Sequence, residues 1–232
     1  MKRNPLLLLA IAIFMSGCSV GKVTISDYKK DVLLQTNYGA MVLRLSELTP
    51  RHRDNFIRLV KSGYYNGVLF HRVIKNFMIQ SGDPDSRHAR GGQPLGEGGP
   101  AYTVPAEFNA QLFHQRGALG AAREGDDVNP EKASSGSQFY IVQGKVWTTG
   151  GLDTLETRRL KGIKIPEAHR EVYTARGGAP HLDGNYTVFG QLVKGEDVLD
   201  KIAAVPTSKG KDKDRPVYNV RILKAKMIRR TE

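Results

Sequence analysis

Short β-prone runs punctuated by turn residues dominate the hydrophobic pattern, and helical spacing interrupts them at few places. Residues 32–36 (VLLQT) and 40–45 (AMVLRL) flank Asn37-Tyr38-Gly39, which predicts a hairpin. Residues 67–74 (GVLFHRVI) and 77–82 (FMIQSG) are rich in β-branched and aromatic side chains and predict two more strands. Further strands are expected over 102–108, 117–122, 137–142, 185–193 and 218–228. Residues 49–63 offer Thr49 as N-cap, Pro50 at the first helical position, Phe56, Leu59 and Val60 at helical spacing, and Gly63 as the stop. A second core helix is expected over 196–205. Antiparallel strands with two core helices predict a mainly β fold, a closed barrel.

Residues 145–179 break this rhythm. Polar helical stretches over 154–163 and 166–175, around Gly162 and Pro166, predict an inserted helical hairpin. The glycine-rich stretch 90–103 lacks the spacing and following helix of a phosphate-cradling loop, so its glycines are expected to serve turns. Asp126, Asp127 and Asn129 lie in a polar loop without the glycine and terminal glutamate of a calcium-binding EF-hand, and predict an Asx-rich turn.

Composition bounds the rest. With 232 residues, 40% apolar and 25% charged, the chain suits one domain, placed over 31–230. The formal charge of +12 invites anionic partners, but the basic residues are scattered and do not interleave with aromatics, so no nucleic-acid groove is expected. The N-terminus changes the picture more. Lys2 and Arg3 precede an apolar run, 6–14, too short to span a bilayer, which reads as a secretory signal over 1–17. It ends at Met15-Ser16-Gly17-Cys18, which resembles the lipobox of bacterial lipoproteins. The resemblance implies a lipid anchor at Cys18, a polar tether over 18–30, and a place in the bacterial cell envelope outside the cytoplasm, facing the periplasm. Cys18 is the only cysteine, so lipidation leaves no thiol for a disulfide, a nucleophile or a zinc site. The histidines show no metal-ligand spacing, and no metal is expected.

Arg72 on an otherwise apolar strand could snorkel to a rim or face a ligand. Four ordered blocks shift that balance: Phe70-His71-Arg72, the run Phe77-Met78-Ile79-Gln80-Ser81-Gly82-Asp83, the run Gly136-Ser137-Gln138-Phe139-Tyr140-Ile141, and Leu182-Asp183-Gly184-Asn185-Tyr186-Thr187-Val188-Phe189-Gly190. Their succession resembles the cyclophilins, the family of peptidyl-prolyl cis-trans isomerases, over about residues 31–228 apart from the insertion. The resemblance implies an eight-stranded antiparallel barrel capped by two helices. It implies Arg72 as the catalytic arginine, with Gln80 and Gln138 as polar residues beside it. Phe77, Met78, Tyr140 and Leu182 would receive the proline ring, Ala122 and Arg123 would lie along the substrate backbone, and Tyr186 stands where members carry His or Tyr. Tyr140 replaces a commoner Phe and is expected to bring a hydroxyl to the pocket floor or edge, narrowing or polarising the proline site. His181 stands where the family's drug-binding tryptophan would be, so weak cyclosporin binding with retained activity is expected.

The implied substrates are proline-containing polypeptides, no cofactor is needed, and a monomer is expected. The other reading is a noncatalytic peptide-binding or chaperone lipoprotein using the same groove. The insertion is either a surface for clients or partners, or a tolerated excursion. By strand alternation Val73, Phe139 and Ile141 should face the core, opposite Arg72 and Tyr140, and His71 should point away from the groove.

Overall fold

The computed structural model describes residues 21–230, so the expected signal peptide and Cys18 lie outside the described residues. In chain order the elements are β1 (Lys30–Thr36), β2 (Gly39–Leu45), α1 (Pro50–Lys61), β3 (Arg72–Ile74), β4 (Met78–Ser81), β5 (Thr103–Val104), β6 (Ala118–Ala121), β7 (Ser134–Ser135), β8 (Phe139–Val142), α2 (Thr149–Arg158), α3 (Glu167–Ala175), β9 (Val188–Lys194), α4 (Glu196–Ala203) and β10 (Ile222–Arg229). Eight strands form one antiparallel sheet in the order β10-β1-β2-β9-β6-β8-β4-β3, while β5 and β7 make a separate two-stranded ribbon. The expected strand over 102–108 therefore shrinks to two residues.

The closed barrel expected from the sequence is corrected to an open, strongly curved sheet. Its edge strands β10 and β3 share no ladder; an isolated bridge between Leu69 and Arg221 and a few flanking bonds, such as Phe70 N–H to Val220 O at 2.8 Å, span the seam. Beyond that bridge the loop before β10 intrudes. Val73 N–H donates to the Asp214 carbonyl at 2.8 Å, so the backbone that would have continued the ladder is already satisfied.

The concave side of the sheet holds the main core, closed by α1 and α4. Phe56, Ile57, Leu59 and Val60 of α1 and Val198, Leu199 and Ile202 of α4 join Val73, Ile79, Phe139, Ile141 and Phe189 there. Phe56 sits among the rings of Tyr65, Phe139 and Phe189, at centroid distances of 5.0 to 5.3 Å. Truncating a ring in such a cluster costs about 3 to 5 kcal/mol.

The start of α1 differs from the sequence expectation. Thr49 makes no side-chain cap, and its hydroxyl is buried without a partner. Instead the carboxylate of Glu107 accepts from Arg51 N–H (3.1 Å) and His52 N–H (2.9 Å), a cap brought from distant sequence. His52 Nδ1 lies 2.6 Å from the same carboxylate and Nε2 lies 2.9 Å from Ser134 Oγ. This order resembles an acid-base-nucleophile set, but Ser134 is 1% exposed and His52 4%, so no substrate reaches the hydroxyl. The trio is a brace between α1 and the β5–β7 ribbon.

Within the stretch expected as tether, Ile25–Lys29 form a 3-10 turn docked beside α1. Asp27 is buried there; burial acts to raise its pKa, but bonds from Lys61, Thr24 and Lys30 outweigh it and hold the carboxyl well below the usual range. The inserted hairpin does form, with α2 beginning five residues earlier than expected because Thr148 Oγ1 caps it by accepting from Gly151 N–H at 3.1 Å. Leu152, Leu155, Ile165 and Tyr173 give the insertion a small core of its own.

Candidate active site

Register places the site. Arg72 on β3 is paired directly with Gln80 on β4, Gln80 with Tyr140 on β8, and Tyr140 with Gly120 on β6. Directly paired residues in a sheet point to the same face, so these four form one row across the convex side. Their sequence neighbours Val73, Ile79, Phe139 and Ile141 enter the main core on the opposite face, as alternation required. On the convex face Met78, Ala118, Ala122, Tyr140, Val142, Leu182 and Val188 make a second apolar cluster with Phe77 and Tyr186 packed against it.

Gly120 completes the row by being absent of side chain. A Cβ there would sit 2.3 Å from Tyr140 Cζ, so only glycine lets the Tyr140 ring lie across β6. The result is a cavity of about 140 Å³ lined by Arg72, Phe77, Met78, Gln80, Ala122, Arg123, Tyr140, Leu182 and Tyr186. That volume is well below the roughly 300 Å³ at which drug-sized sites begin, and suits a single side chain. Of the residues expected at the site, Gln138 alone stands outside this cavity, one layer behind it.

Gln138 orients the row. Its Nε2 donates to the carbonyls of Gly96 (2.6 Å) and Gly98 (2.9 Å). Carbonyls only accept, so Gln138 Oε1 must face Gln80, whose Nε2 donates to it at 3.1 Å. Gln80 Oε1 is then turned to accept from Arg72 Nη1 at 3.4 Å. The glycine-rich loop thus does more than turn: Gly96 N–H donates to buried Asp83 at 2.6 Å, and a Cβ on Gly98 would sit 2.2 Å from Asp83 Oδ1. Close backbone approach, not turn geometry, demands glycine at position 98. Arg72 itself is about half exposed, with Asp214 4.0 Å from its Nε, so its guanidinium stands at the cavity rim without a tight carboxylate partner.

Two expected residues have partners that the sequence does not show. Arg123 lines the cavity, but its side chain is 4% exposed: it donates to the carbonyls of Asn185 and Glu124 at 2.8 Å, pairs with Asp126 at 2.7 Å, and covers the Tyr186 ring at 4.5 Å. It shapes the wall as a brace. The Tyr140 hydroxyl does not polarise the pocket floor, because it is turned away to His114 Nε2 at 2.8 Å. His114 Nδ1 lies 2.8 Å from Asp183 Oδ1, and Tyr173 on α3 donates to Asp183 Oδ2 at 2.6 Å. With Nδ1–H given to the carboxylate, Nε2 accepts from Tyr140, and a hydrogen-bonded chain runs from the pocket floor through half-buried Asp183 into the insertion. Burial pushes both tyrosine hydroxyls far above their ordinary range, so they stay protonated donors.

His71 faces away from the cavity, as alternation predicted. It is 4% exposed, neither ring nitrogen has a partner, and burial lowers its pKa from 6.5 to about 4. His181 packs on Phe77 at a centroid distance of 5.3 Å, and its pKa is lowered to about 4 by burial and then by Arg159 and His114. His114 and Tyr173 carry no local signal in the sequence, since each acts through partners 26 and 10 residues away or more.

Comparisons with known proteins agree with this geometry. Residues 31–227 match the family described as cyclophilin type peptidyl-prolyl cis-trans isomerase/CLD. A Staphylococcus epidermidis protein named as a peptidyl-prolyl cis-trans isomerase is 39% identical over 197 residues, covering 84% of this chain and 90% of that protein. One from Staphylococcus haemolyticus is 37% identical over the same shares of each chain. A crystal structure of a cyclophilin type peptidyl-prolyl cis-trans isomerase from Cryptosporidium parvum superposes with a TM-score of 0.61 at 25% identity, covering 87% of this chain and 99% of that one. A second structure of that protein, in the presence of the dipeptide Ala-Pro, shares the fold with a TM-score of 0.59. The chain therefore belongs to the family of cyclophilin-type peptidyl-prolyl cis-trans isomerases.

Proposed function

We propose that Arg72 drives the isomerisation by stabilising the twisted prolyl amide, and that the substrates are exported proteins folding outside the cytoplasm. The observation that carries the mechanism is a permanently charged donor held at the rim of a small apolar cavity by an oriented amide chain. Rotation about an X-Pro bond breaks no covalent bond; its barrier, on the order of 20 kcal/mol, is the loss of amide resonance. In the twisted state the prolyl nitrogen regains a lone pair, which the planar amide lacks. A guanidinium N–H aimed there favours the twisted state over both planar ones, which is what catalysis requires. A charge-assisted bond of this kind contributes about 1.5 to 3 kcal/mol.

Phe77, Met78, Tyr140 and Leu182 would hold the ring through burial, and the Tyr140 hydroxyl, already engaged by His114, leaves their surface apolar. Gln80 and Gln138 are positioning residues: Gln138 orients Gln80, which lines the cavity and turns Arg72 toward it. That a solved relative of this fold was crystallised in the presence of Ala-Pro supports a proline-sized occupant. The signal-like N-terminus and Cys18 support a lipid-anchored envelope enzyme, and mass spectrometry of the mature N-terminus should find a diacylglyceryl-modified Cys18.

A protease-coupled assay on an Ala-Pro tetrapeptide tests the activity. Wild type should accelerate isomerisation, and Arg72→Ala should lower kcat/KM about ten- to a hundredfold, the equivalent of one charge-assisted bond. Equal, negligible rates for both would leave a peptide-binding module in place of an enzyme.

A further inference from the structure

The proline cavity opens into two larger clefts of opposite character. One, about 420 Å³, shares Gln80, Ala122 and Arg123 with the cavity and is lined by the glycine-rich loop and by the carboxylates Glu97 and Glu124. The other, about 520 Å³, shares Arg72, Phe77, Leu182 and Tyr186 with the cavity and adds Lys145, Trp147 and Arg159 from the insertion. No carboxylate lines this second cleft; Asp214, beside Arg72, is the acidic group at its edge. Lys145 and Arg159 are exposed, and among the described residues neither has a carboxylate partner. Lys145 Nζ stands 4.2 Å from the Trp147 ring centroid, and Trp147 Nε1 is fixed by donating to Gly178 O at 3.0 Å. Arg159 lies close enough to His181 to help keep that imidazole uncharged.

For a polypeptide whose prolyl ring fills the cavity, these two adjoining clefts are the places open to its flanking residues. One cleft is lined by carboxylates with a neutralised arginine, and the other by three cations and an indole. We propose that the insertion turns the second cleft into a subsite for an acidic side chain, so that the enzyme selects clients carrying Asp or Glu on one flank of the proline. This inference rests on the isomerase reading of the cavity. Charge complementarity between partly hydrated groups steers choice among substrates more than it adds affinity.

Two peptide pairs test it, Ala-Ala-Pro-Glu against Ala-Ala-Pro-Gln and Glu-Ala-Pro-Ala against Gln-Ala-Pro-Ala, with kcat/KM measured by exchange spectroscopy. Glu should be favoured by about fivefold at one flank and not at the other, as expected of two semi-exposed ion pairs. The preference should fall toward unity in about 0.5 M salt and in the double variant Lys145→Ala with Arg159→Ala. Ratios near one at both flanks, with isomerisation intact, overturn the subsite and leave the enzyme standing. The chain's single tryptophan provides a readout independent of turnover, since Trp147 lines this cleft. If no peptide were isomerised but Glu peptides still perturbed Trp147 emission at lower concentration than Gln peptides, the subsite would stand and the isomerase reading would fail. Vesicles of anionic phospholipid perturbing Trp147 without any peptide preference would overturn the proposal in favour of a lipid-binding surface.

Discussion

The two sides of the groove are built by different physics. On the sheet side, Arg72, Gln80, Tyr140 and Gly120 are fixed by ladder register, and a second row of side chains anchors the same strands in the main core. On the insertion side, charge-assisted bonds carry most of the order. Glu156 accepts from Arg170 (2.6 Å), Lys164 (2.7 Å) and the Ile165 N–H (3.1 Å), and Arg170 also pairs with Asp153 at 2.7 Å. A ladder fixes geometry through many backbone bonds, as the proposed role of Arg72 requires. Ion pairs around a small core tolerate displacement, which suits a surface that chooses among clients.

Acid should separate the two sides with the largest effect. His71 lies behind the sheet wall with a folded pKa of about 4 against an ordinary 6.5. The unfolded chain therefore binds a proton that the folded chain refuses, so stability is complete above pH 6.5 and is lost as pH falls toward 4. This group alone should remove roughly 3 kcal/mol, measured by urea unfolding across that range, and His71→Leu should lessen the slope, leaving the part set by His181, whose pKa burial also lowers to about 4. Glu156 titrates lower, its pKa held at about 2 by Lys164, Ile165 N–H and Arg170. Its contribution is present above pH 4.5 and lost as pH falls toward 2, so the insertion should loosen after the sheet side has begun to weaken. Loosening of the insertion first would reverse the comparison.

Glu156→Ala at neutral pH should cost roughly 1.5 to 3 kcal/mol locally, from lost bonds to charged partners. Hydrogen exchange should then speed up in α2 and α3 about ten- to a hundredfold and stay unchanged in β4 and β8. Faster exchange in both would mean the insertion supports the sheet rather than resting on it. The smallest effect is expected from Tyr173→Phe, which removes one bond of the chain from α3 to the pocket floor. About 1 kcal/mol of stability should be lost, with kcat/KM changed by less than about twofold, since the Tyr140 ring is held by register and by Gly120.

Legibility in the sequence follows the same division. Alternation along 137–142 correctly sent Phe139 and Ile141 inward and Tyr140 outward, because period-2 patterning is a local property of a strand. The four ordered blocks hold seven of the nine residues that line the cavity, all but Ala122 and Arg123. Barrel closure was misjudged because it depends on a loop contact, Val73 to Asp214, that no local pattern encodes. The Glu107 cap of α1, the His114 chain and the cationic cleft likewise depend on partners far apart in sequence. The resemblance places Arg123 along the substrate backbone, but no local pattern shows that its guanidinium is committed to Asn185, Glu124 and Asp126.

The central claim is that Arg72 acts on the twisted amide and not on binding. Two-dimensional exchange NMR of an Ala-Pro peptide at saturating concentration measures cis-trans interconversion on the enzyme, separately from affinity. For Arg72→Ala the on-enzyme rate should fall about ten- to a hundredfold while the Kd moves by less than about threefold. An unchanged on-enzyme rate with a weakened Kd would contradict the account, because Arg72 would then hold the peptide without helping it turn.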